Sequence, residues 1–184
     1  MSARGIALFE TPIGVCGIAW SDKGLLATRL PEADGARVKA GLARRFPALA
    51  EAPLPPPVAA ISALIAAHLG GARVDYSRVA LDEDGVGDWE LGVYRAAAAI
   101  PHGETRTYGE LARLAGKPEA AQAVGQALGR NPWPIVIPCH RILGADGRTG
   151  GFSAPGGAAT KLRLLEIEGA LAPESLPLFA PQPH

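Results

Sequence analysis

Thr107-Tyr108-Gly109-Glu110-Leu111-Ala112-Arg113-Leu114-Ala115-Gly116-Lys117-Pro118-Glu119-Ala120-Ala121-Gln122-Ala123-Val124-Gly125-Gln126-Ala127-Leu128-Gly129-Arg130-Asn131-Pro132 is the stretch that decides the fold. Thr107 and Glu110 have the Thr-x-x-Glu spacing of a capping box, in which each side chain satisfies the other residue's backbone N–H, so a helix is predicted to begin there. Gly116 stops it. Pro118 suits the first turn of a following helix, where its missing N–H costs nothing, and Pro132 ends that helix after Arg130 and Asn131. Two short helices joined by a tight turn make a helix-turn-helix. On the second helix Ala120, Val124, Ala127 and Leu128 share the face that packs inward. Glu119, Gln122, Gln126 and Arg130 fall on the other, with Gln122 and Ala123 exposed. That face reads either as solvated surface or as a groove-reading surface, which small alanines would allow to approach closely.

Downstream, Trp133-Pro134-Ile135-Val136-Ile137-Pro138 is an apolar segment stiffened by proline that delivers Cys139-His140-Arg141. A free cysteine is usually a small buried hydrophobe. Here a proton acceptor and a positive charge follow it directly, and both favour the nucleophilic thiolate. Cys16 has no such neighbours and reads as buried filler. A last helix, about 158–168 with Gly169 as its stop, sets Lys161, Leu164, Leu165 and Glu168 along one side. A carboxylate on that face needs a partner, and a histidine to be held in one tautomer is a candidate. A solvated glutamate at a frayed helix end fits the spacing equally well. The glycine-rich loop 144–157 between them can wrap a flat ligand, with Phe152 to stack and Ser153 to hydrogen-bond, or it is simply a flexible connection.

Upstream of the helix-turn-helix, Trp89 to Ile100 is a helix candidate ending at Pro101. The acidic run Asp82-Glu83-Asp84-Gly85-Val86-Gly87-Asp88 reads as a linker. Before it, residues 5–20 alternate loosely and break at Pro12-Ile13-Gly14, as two strands and a turn would. Ser21-Asp22-Lys23-Gly24 is a second turn, and helices are predicted over 35–46 and 58–69 on either side of Pro53-Leu54-Pro55-Pro56-Pro57. The expected organisation is an α+β domain over 1–82, a linker over 83–88, a helix-turn-helix domain over 89–169 and a Pro-rich, poorly ordered tail over 170–184.

The chain has 184 residues, 48% hydrophobic and 20% charged, the balance of a globular protein. Net charge is zero, but residues 101–165 hold eight Lys/Arg against four Asp/Glu, which makes that segment locally basic and able to meet phosphate. The amino terminus lacks an apolar signal core and no apolar run reaches membrane-spanning length. We therefore expect a cytoplasmic protein with two free thiols and no membrane partner. The four histidines are scattered singly, which argues against structural zinc.

The runs Ile100-Pro101-His102-Gly103-Glu104-Thr105-Arg106-Thr107-Tyr108-Gly109-Glu110-Leu111-Ala112, Arg130-Asn131-Pro132, Ile137-Pro138-Cys139-His140-Arg141 and Glu166-Ile167-Glu168-Gly169 together resemble the O6-alkylguanine-DNA alkyltransferase family. The likeness covers roughly residues 88–169. It implies a small ribonuclease-H-like first domain followed by a winged-helix-like helix-turn-helix domain that carries the reactive cysteine. It also implies a monomer that binds double-stranded DNA through the minor groove, flips an alkylated base from the stack, O6-alkylguanine with O4-alkylthymine as the alternative lesion, and moves the alkyl group irreversibly to Cys139. Neither metal nor organic cofactor enters that step. By the same resemblance Cys139, His140, Glu168, Asn131 and Tyr108 form the catalytic set and Arg141 braces it. Tyr108, Gly109, Lys117, Ala121, Gln122, Ala123 and Arg130 face DNA, and Pro134, Ile142, Phe152 and Ser153 line the substrate pocket.

The sequence departs from the family at three places. Gln122 stands where an arginine normally fills the gap left by the flipped base. Phe152 stands where tyrosine is common, and Ala154-Pro155 looks like a two-residue insertion. Weaker DNA binding than is usual for the family is the expectation from Gln122 and its neighbour Glu119. The competing readings are a lesion-binding relative with weak or altered transfer, a thiol hydrolase using Cys139 and His140, and a regulatory helix-turn-helix in which Cys139 is inert.

Overall fold

The computed structural model describes residues 4–149 and 152–171; Gly150, Gly151 and the tail from Ala172 lie outside the described residues. The chain opens with a meander. Strand β1 (Gly5–Thr11) pairs antiparallel with β2 (Gly14–Trp20), from Gly5 opposite Trp20 to Thr11 opposite Gly14. Strand β3 (Leu25–Arg29) continues the sheet beyond β2, after a turn closed by Ser21 N–H donating to the Gly24 carbonyl at 2.9 Å. Gly24 has φ +149° and a side chain there would collide with the Ala80 carbonyl, so the turn admits only glycine.

Helix α1 (Gly35–Arg45) is capped by Asp34, whose carboxylate accepts from Arg37 N–H at 2.8 Å, and lays Val38 and Leu42 over Gly17 of β2. Helix α2 (Pro56–Leu69) starts two residues before the predicted Val58, because Pro56 and Pro57 sit in its first turn rather than in the break before it. Its buried positions include Val58, Ser62, Ile65, His68 and Leu69, so the helix ends with a histidine facing the interior.

Helix α3 (Asp88–Ala98) leads into β4 (Arg106–Thr107) and α4 (Tyr108–Leu114). Both halves of the capping box form: Glu110 N–H donates to Thr107 Oγ1 at 3.1 Å and Thr107 N–H to the Glu110 carboxylate at 2.7 Å. Helix α5 (Ala121–Gly129) begins later than the sequence suggested. Pro118 lies outside it, in a turn closed by Ala120 N–H on the Lys117 carbonyl at 2.9 Å. Proline's fixed φ fits the second position of a β-turn as well as it fits a first helical turn, and here the turn won. Val124, Ala127 and Leu128 are buried and Gln122 is exposed as expected, whereas Ala120 and Ala123 are half-buried. A 3-10 turn (Cys139–Arg141), strand β5 (Ile142–Leu143) parallel to β4, and helix α6 (Gly157–Ile167) complete the fold.

One hydrophobic cluster runs through both parts of the chain, from Ile18, Trp20 and Leu25 to Val93, Tyr94, Val124 and Trp133. Tyr94 packs edge-on to Trp133 at 5.9 Å and donates to the Ala127 carbonyl at 2.8 Å. The seam between the sheet and the segment before Cys139 is hydrogen-bonded too. Thr28 N–H reaches the Pro132 carbonyl at 3.0 Å, Thr28 Oγ1 the Pro134 carbonyl at 2.7 Å, and the Trp133 indole N–H the Leu25 carbonyl at 2.8 Å. Replacing Thr107 by Ala removes one cap of α4 and is expected to lower the unfolding free energy by about 1 kcal/mol in urea titration.

Candidate active site

Pro138 makes the turn that presents the cysteine. With φ −81° and ψ 63°, and Cys139 N–H donating to the Ile137 carbonyl at 2.8 Å, it forms an inverse γ-turn. Three residues earlier Ile135 has φ +76°, the positive value found at a non-glycine residue among the described ones. A β-branched side chain is strained there by about 1–3 kcal/mol. Its burial against the shared core offsets that strain. Asn131 ties the loop at both ends, its Oδ1 accepting from Trp133 N–H at 2.9 Å and its Nδ2 donating to the Ile137 carbonyl at 3.0 Å.

Cys139 is a free, buried thiol. Burial pushes its pKa up, opposed by a hydrogen bond from Asn131 and by the charge of Lys161. Lys161 comes from α6 and is itself buried; desolvation brings it down to about 8, countered in part by Cys139. Its Nζ lies 5.8 Å from the ring centres of both Tyr108 and Phe152. Burial raises the Tyr108 hydroxyl, which therefore keeps its proton.

Behind the cysteine sits Glu168, 6% exposed and just past the end of α6. Its Oε1 accepts from His140 Nε2 at 2.7 Å, His68 Nε2 at 2.8 Å and Arg141 Nη2 at 2.9 Å, and its Oε2 from Arg141 Nε at 2.9 Å. Arg141 Nη1 donates further to the Ile100 carbonyl at 2.6 Å. Burial alone would raise the carboxyl pKa, but the hydrogen bonds from His140, His68 and Arg141 hold it well below the usual range. Glu168 is therefore an anion that only accepts. Burial lowers the pKa of His140, against the pull of Glu168. A neutral imidazole that donates from Nε2 leaves its Nδ1 lone pair free, and Nδ1 is buried with no partner among the described residues. The arrangement fixes a base in one tautomer one residue from the thiol.

His68 Nε2, His140 Nε2 and Glu168 Oε1 lie within 4.8 Å of one another. Their separations are those of direct hydrogen bonds, and the Arg141 guanidinium supplies the positive charge on both carboxylate oxygens.

Cys139, Asn131, Pro134, Phe152 and Ser153 line a cavity of about 150 Å³ together with Arg29 and Arg45 from the first part of the chain. A smaller one of about 20 Å³ joins Tyr108, Cys139, Ser153 and Lys161. Ser153 Oγ donates to the Gly129 carbonyl at 3.0 Å. Ile142 is not brought to either cavity; its pairing with Arg106 in the β4–β5 ladder leaves it fully buried in the core. Gly109 follows Tyr108 in the first turn of α4, and Ala121, Gln122 and Ala123 form the first turn of α5. Lys117 lies over the Trp89 ring at 4.8 Å. Arg130 is exposed but donates to Glu90 at 2.6 Å, so its charge is already matched. Sequence reasoning gave no role to His68, Tyr76 or Lys161. A polar side chain on the apolar stripe of α2 or α6 was the signal available for His68 and Lys161.

Fold and site define a protein built around a free, buried cysteine and a buried His–Glu pair, carried beside a helix-turn-helix. Residues 88–170 match the family profile described as 6-O-methylguanine DNA methyltransferase, DNA binding domain. A methylated-DNA–protein-cysteine methyltransferase of Methanothermobacter thermautotrophicus is 36% identical over 159 residues, which is 86% of this chain and 81% of that protein. The protein of the same description from Mycobacterium tuberculosis is 45% identical over 113 residues, 61% of this chain and 66% of the relative, so that alignment spans just under two thirds of the relative's length. The crystal structure of Mycobacterium tuberculosis OGT in complex with DNA superposes with a TM-score of 0.72 at 32% identity, over 90% of this chain and 93% of that one. The chain belongs to the methylated-DNA–protein-cysteine methyltransferase family.

Glu168→Gln should destabilise the fold by about 3–5 kcal/mol, because it strips the counter-charge from buried Arg141. The depressed pKa of Glu168 fixes the sign of its pH dependence: its contribution is present above the unfolded value of about 4.3 and is lost as pH falls below it. Urea unfolding between pH 7 and 3 should show the parent losing stability more steeply at the acid end than E168Q.

Proposed function

We propose that this protein repairs DNA by direct reversal, taking the alkyl group of O6-alkylguanine onto Cys139 in one irreversible turnover. The observation that carries this reading is the neutral His140, held by Glu168 with Nδ1 free, beside a thiol that shares a cavity with Tyr108 and Ser153. The helix-turn-helix enters the minor groove with Ala121, Gln122 and Ala123 foremost, Gly109 allows close approach of the backbone, Lys117 meets a phosphate, and Arg130 does so only by leaving Glu90. The damaged base is flipped towards Cys139, past Pro134, Phe152 and Ser153.

His140 Nδ1 takes the thiol proton through a bridging water, and Lys161 steadies the thiolate. Sulfur attacks the alkyl carbon in line; the S–C bond forms as the C–O6 bond breaks, and its electron pair leaves with guanine. Tyr108, protonated at working pH, returns a proton to the departing base. The product is a thioether, which water does not hydrolyse, so each molecule acts once. Neither metal nor organic cofactor is needed.

The finer architecture we propose is a ribonuclease-H-like unit over 1–82, a linker over 83–88, and a winged-helix-like unit over 89–169 with β4 and β5 as its small sheet. The three-stranded meander with its helices supports the first, and α3 to α5 the last. We also propose a cytoplasmic monomer, because one chain supplies every group the reaction uses. No helix among the described residues is long and apolar enough to cross a membrane.

Incubation with a duplex containing O6-methylguanine should place one methyl on the peptide holding Cys139, seen by mass spectrometry, and none on Cys139→Ala. Unmodified protein together with unrepaired DNA would sink the proposal. Gln122 brings no charge to DNA, and Arg130 is paired with Glu90. Gln122→Arg should therefore bind lesion duplex more tightly, and with a steeper salt dependence, than the parent. Fluorescence titration at two salt concentrations measures both.

A further inference from the structure

We propose that His68, on α2, is a positioning residue for alkyl transfer, acting through the Glu168 oxygen it shares with His140; the proposal rests on the transfer reading above. His68 lies 100 residues before Glu168 in sequence and belongs to the opposite part of the chain, yet its Nε2 stands 2.8 Å from Glu168 Oε1. It is 2% exposed. Tyr76 fixes the other side of the ring, with its hydroxyl 3.0 Å from Nδ1. Burial raises the Tyr76 pKa, so that group remains a hydroxyl able to donate. The imidazole is thus held at both nitrogens.

An anionic carboxylate obliges both histidines to donate to it from Nε2. Oε1 then divides its charge among His68, His140 and Arg141. Each donor that withdraws charge from that oxygen lessens the hold of Glu168 on a proton at His140. His68 therefore keeps His140 neutral further into the acid range and so ready to accept the thiol proton. Removing the His68 donor concentrates the carboxylate's charge on His140 and raises its pKa.

The titratable and charged groups around this carboxylate come from every element that meets it. His68 is on α2, Tyr76 follows α2, and His102, whose ring lies 5.4 Å from that of His68, follows α3. His140 and Arg141 come from the turn after Cys139, while Arg73 and Cys16 act at longer range on His102 and Tyr76. Of these, only His68, His140 and Arg141 bond to Glu168 among the described residues.

The experiment is the single-turnover transfer rate against pH for the parent, His68→Phe and His68→Gln, using a duplex with O6-methylguanine. The acid limb belongs to the coupled Cys139–His140 pair. His68→Phe should move its midpoint up by about one pH unit, slowing transfer about tenfold on the acid limb and leaving it within about twofold of the parent at high pH. His68→Gln, whose amide nitrogen can take the place of Nε2, should restore the parent midpoint. A midpoint in His68→Phe equal to that of the parent, whatever the absolute rate, overturns the proposal. So does a shift in His68→Gln as large as that in His68→Phe. If His68→Phe does not fold, proton NMR of the parent at pH 7 decides. Two downfield, slowly exchanging imidazole N–H signals, one from His68 and one from His140, support the shared carboxylate, and loss of the His68 signal overturns it. A parent that transfers nothing fails the reaction itself, whereas a parent that transfers while His68→Phe keeps its midpoint fails only the role of His68.

Discussion

An ionised carboxylate with almost no exposure to water is costly to bury, by several kcal/mol even after the surroundings relax. Glu168 is such a group, and the cost is offset only because four donor atoms converge on it from two other places in the chain. The end of α6, the turn after Cys139 and the end of α2 must therefore all be in register before any of them is favourable. Surface ion pairs such as Arg4–Asp22 and Lys23–Asp84 are exposed and contribute little, because solvent screens them. They leave the arrangement of the site unaffected. The fold and the proposed chemistry thus share one set of hydrogen bonds.

The segment before Cys139 carries the opposite burden. It must hold a strained residue, Ile135, and present Cys139 without support from a regular helix or strand. Prolines restrict it, Asn131 closes it on itself, and Thr28 of β3 holds the Pro132 and Pro134 carbonyls. The thiol is left in a place that disfavours its ionised form. A thiol kept protonated by burial reacts little with solutes, and in the proposed reaction it would need proton transfer within the site.

Much of this was legible in the sequence where a local rule had a single solution. The capping box at Thr107 and Glu110 formed as read, and the breaks at Pro12-Ile13-Gly14 and Ser21–Gly24 gave the expected strands. Where two local solutions compete, the sequence alone does not choose: Pro118 satisfies a turn instead of a helix start, and Pro56 and Pro57 the reverse. The link between Glu168 and His140 was open on spacing alone, because a terminal glutamate is equally at home in water. For His68 the only local signal is a polar side chain on an apolar stripe, which does not say that it meets a carboxylate a hundred residues away. Ile142 shows the converse, a residue next to the reactive turn that a short parallel ladder commits to the core.

The seam formed by Thr28, Leu25, Pro132, Trp133 and Pro134 bears on how the molecule comes apart. Backbone groups of β3 and of the reactive segment satisfy one another, and the aromatic cluster of Trp20, Tyr94 and Trp133 continues across the same boundary. Opening either side alone would strand buried donors and acceptors on the other. The described residues are therefore expected to open as one cooperative unit, with amides of the sheet and of the helix-turn-helix exposed to exchange together rather than in sequence.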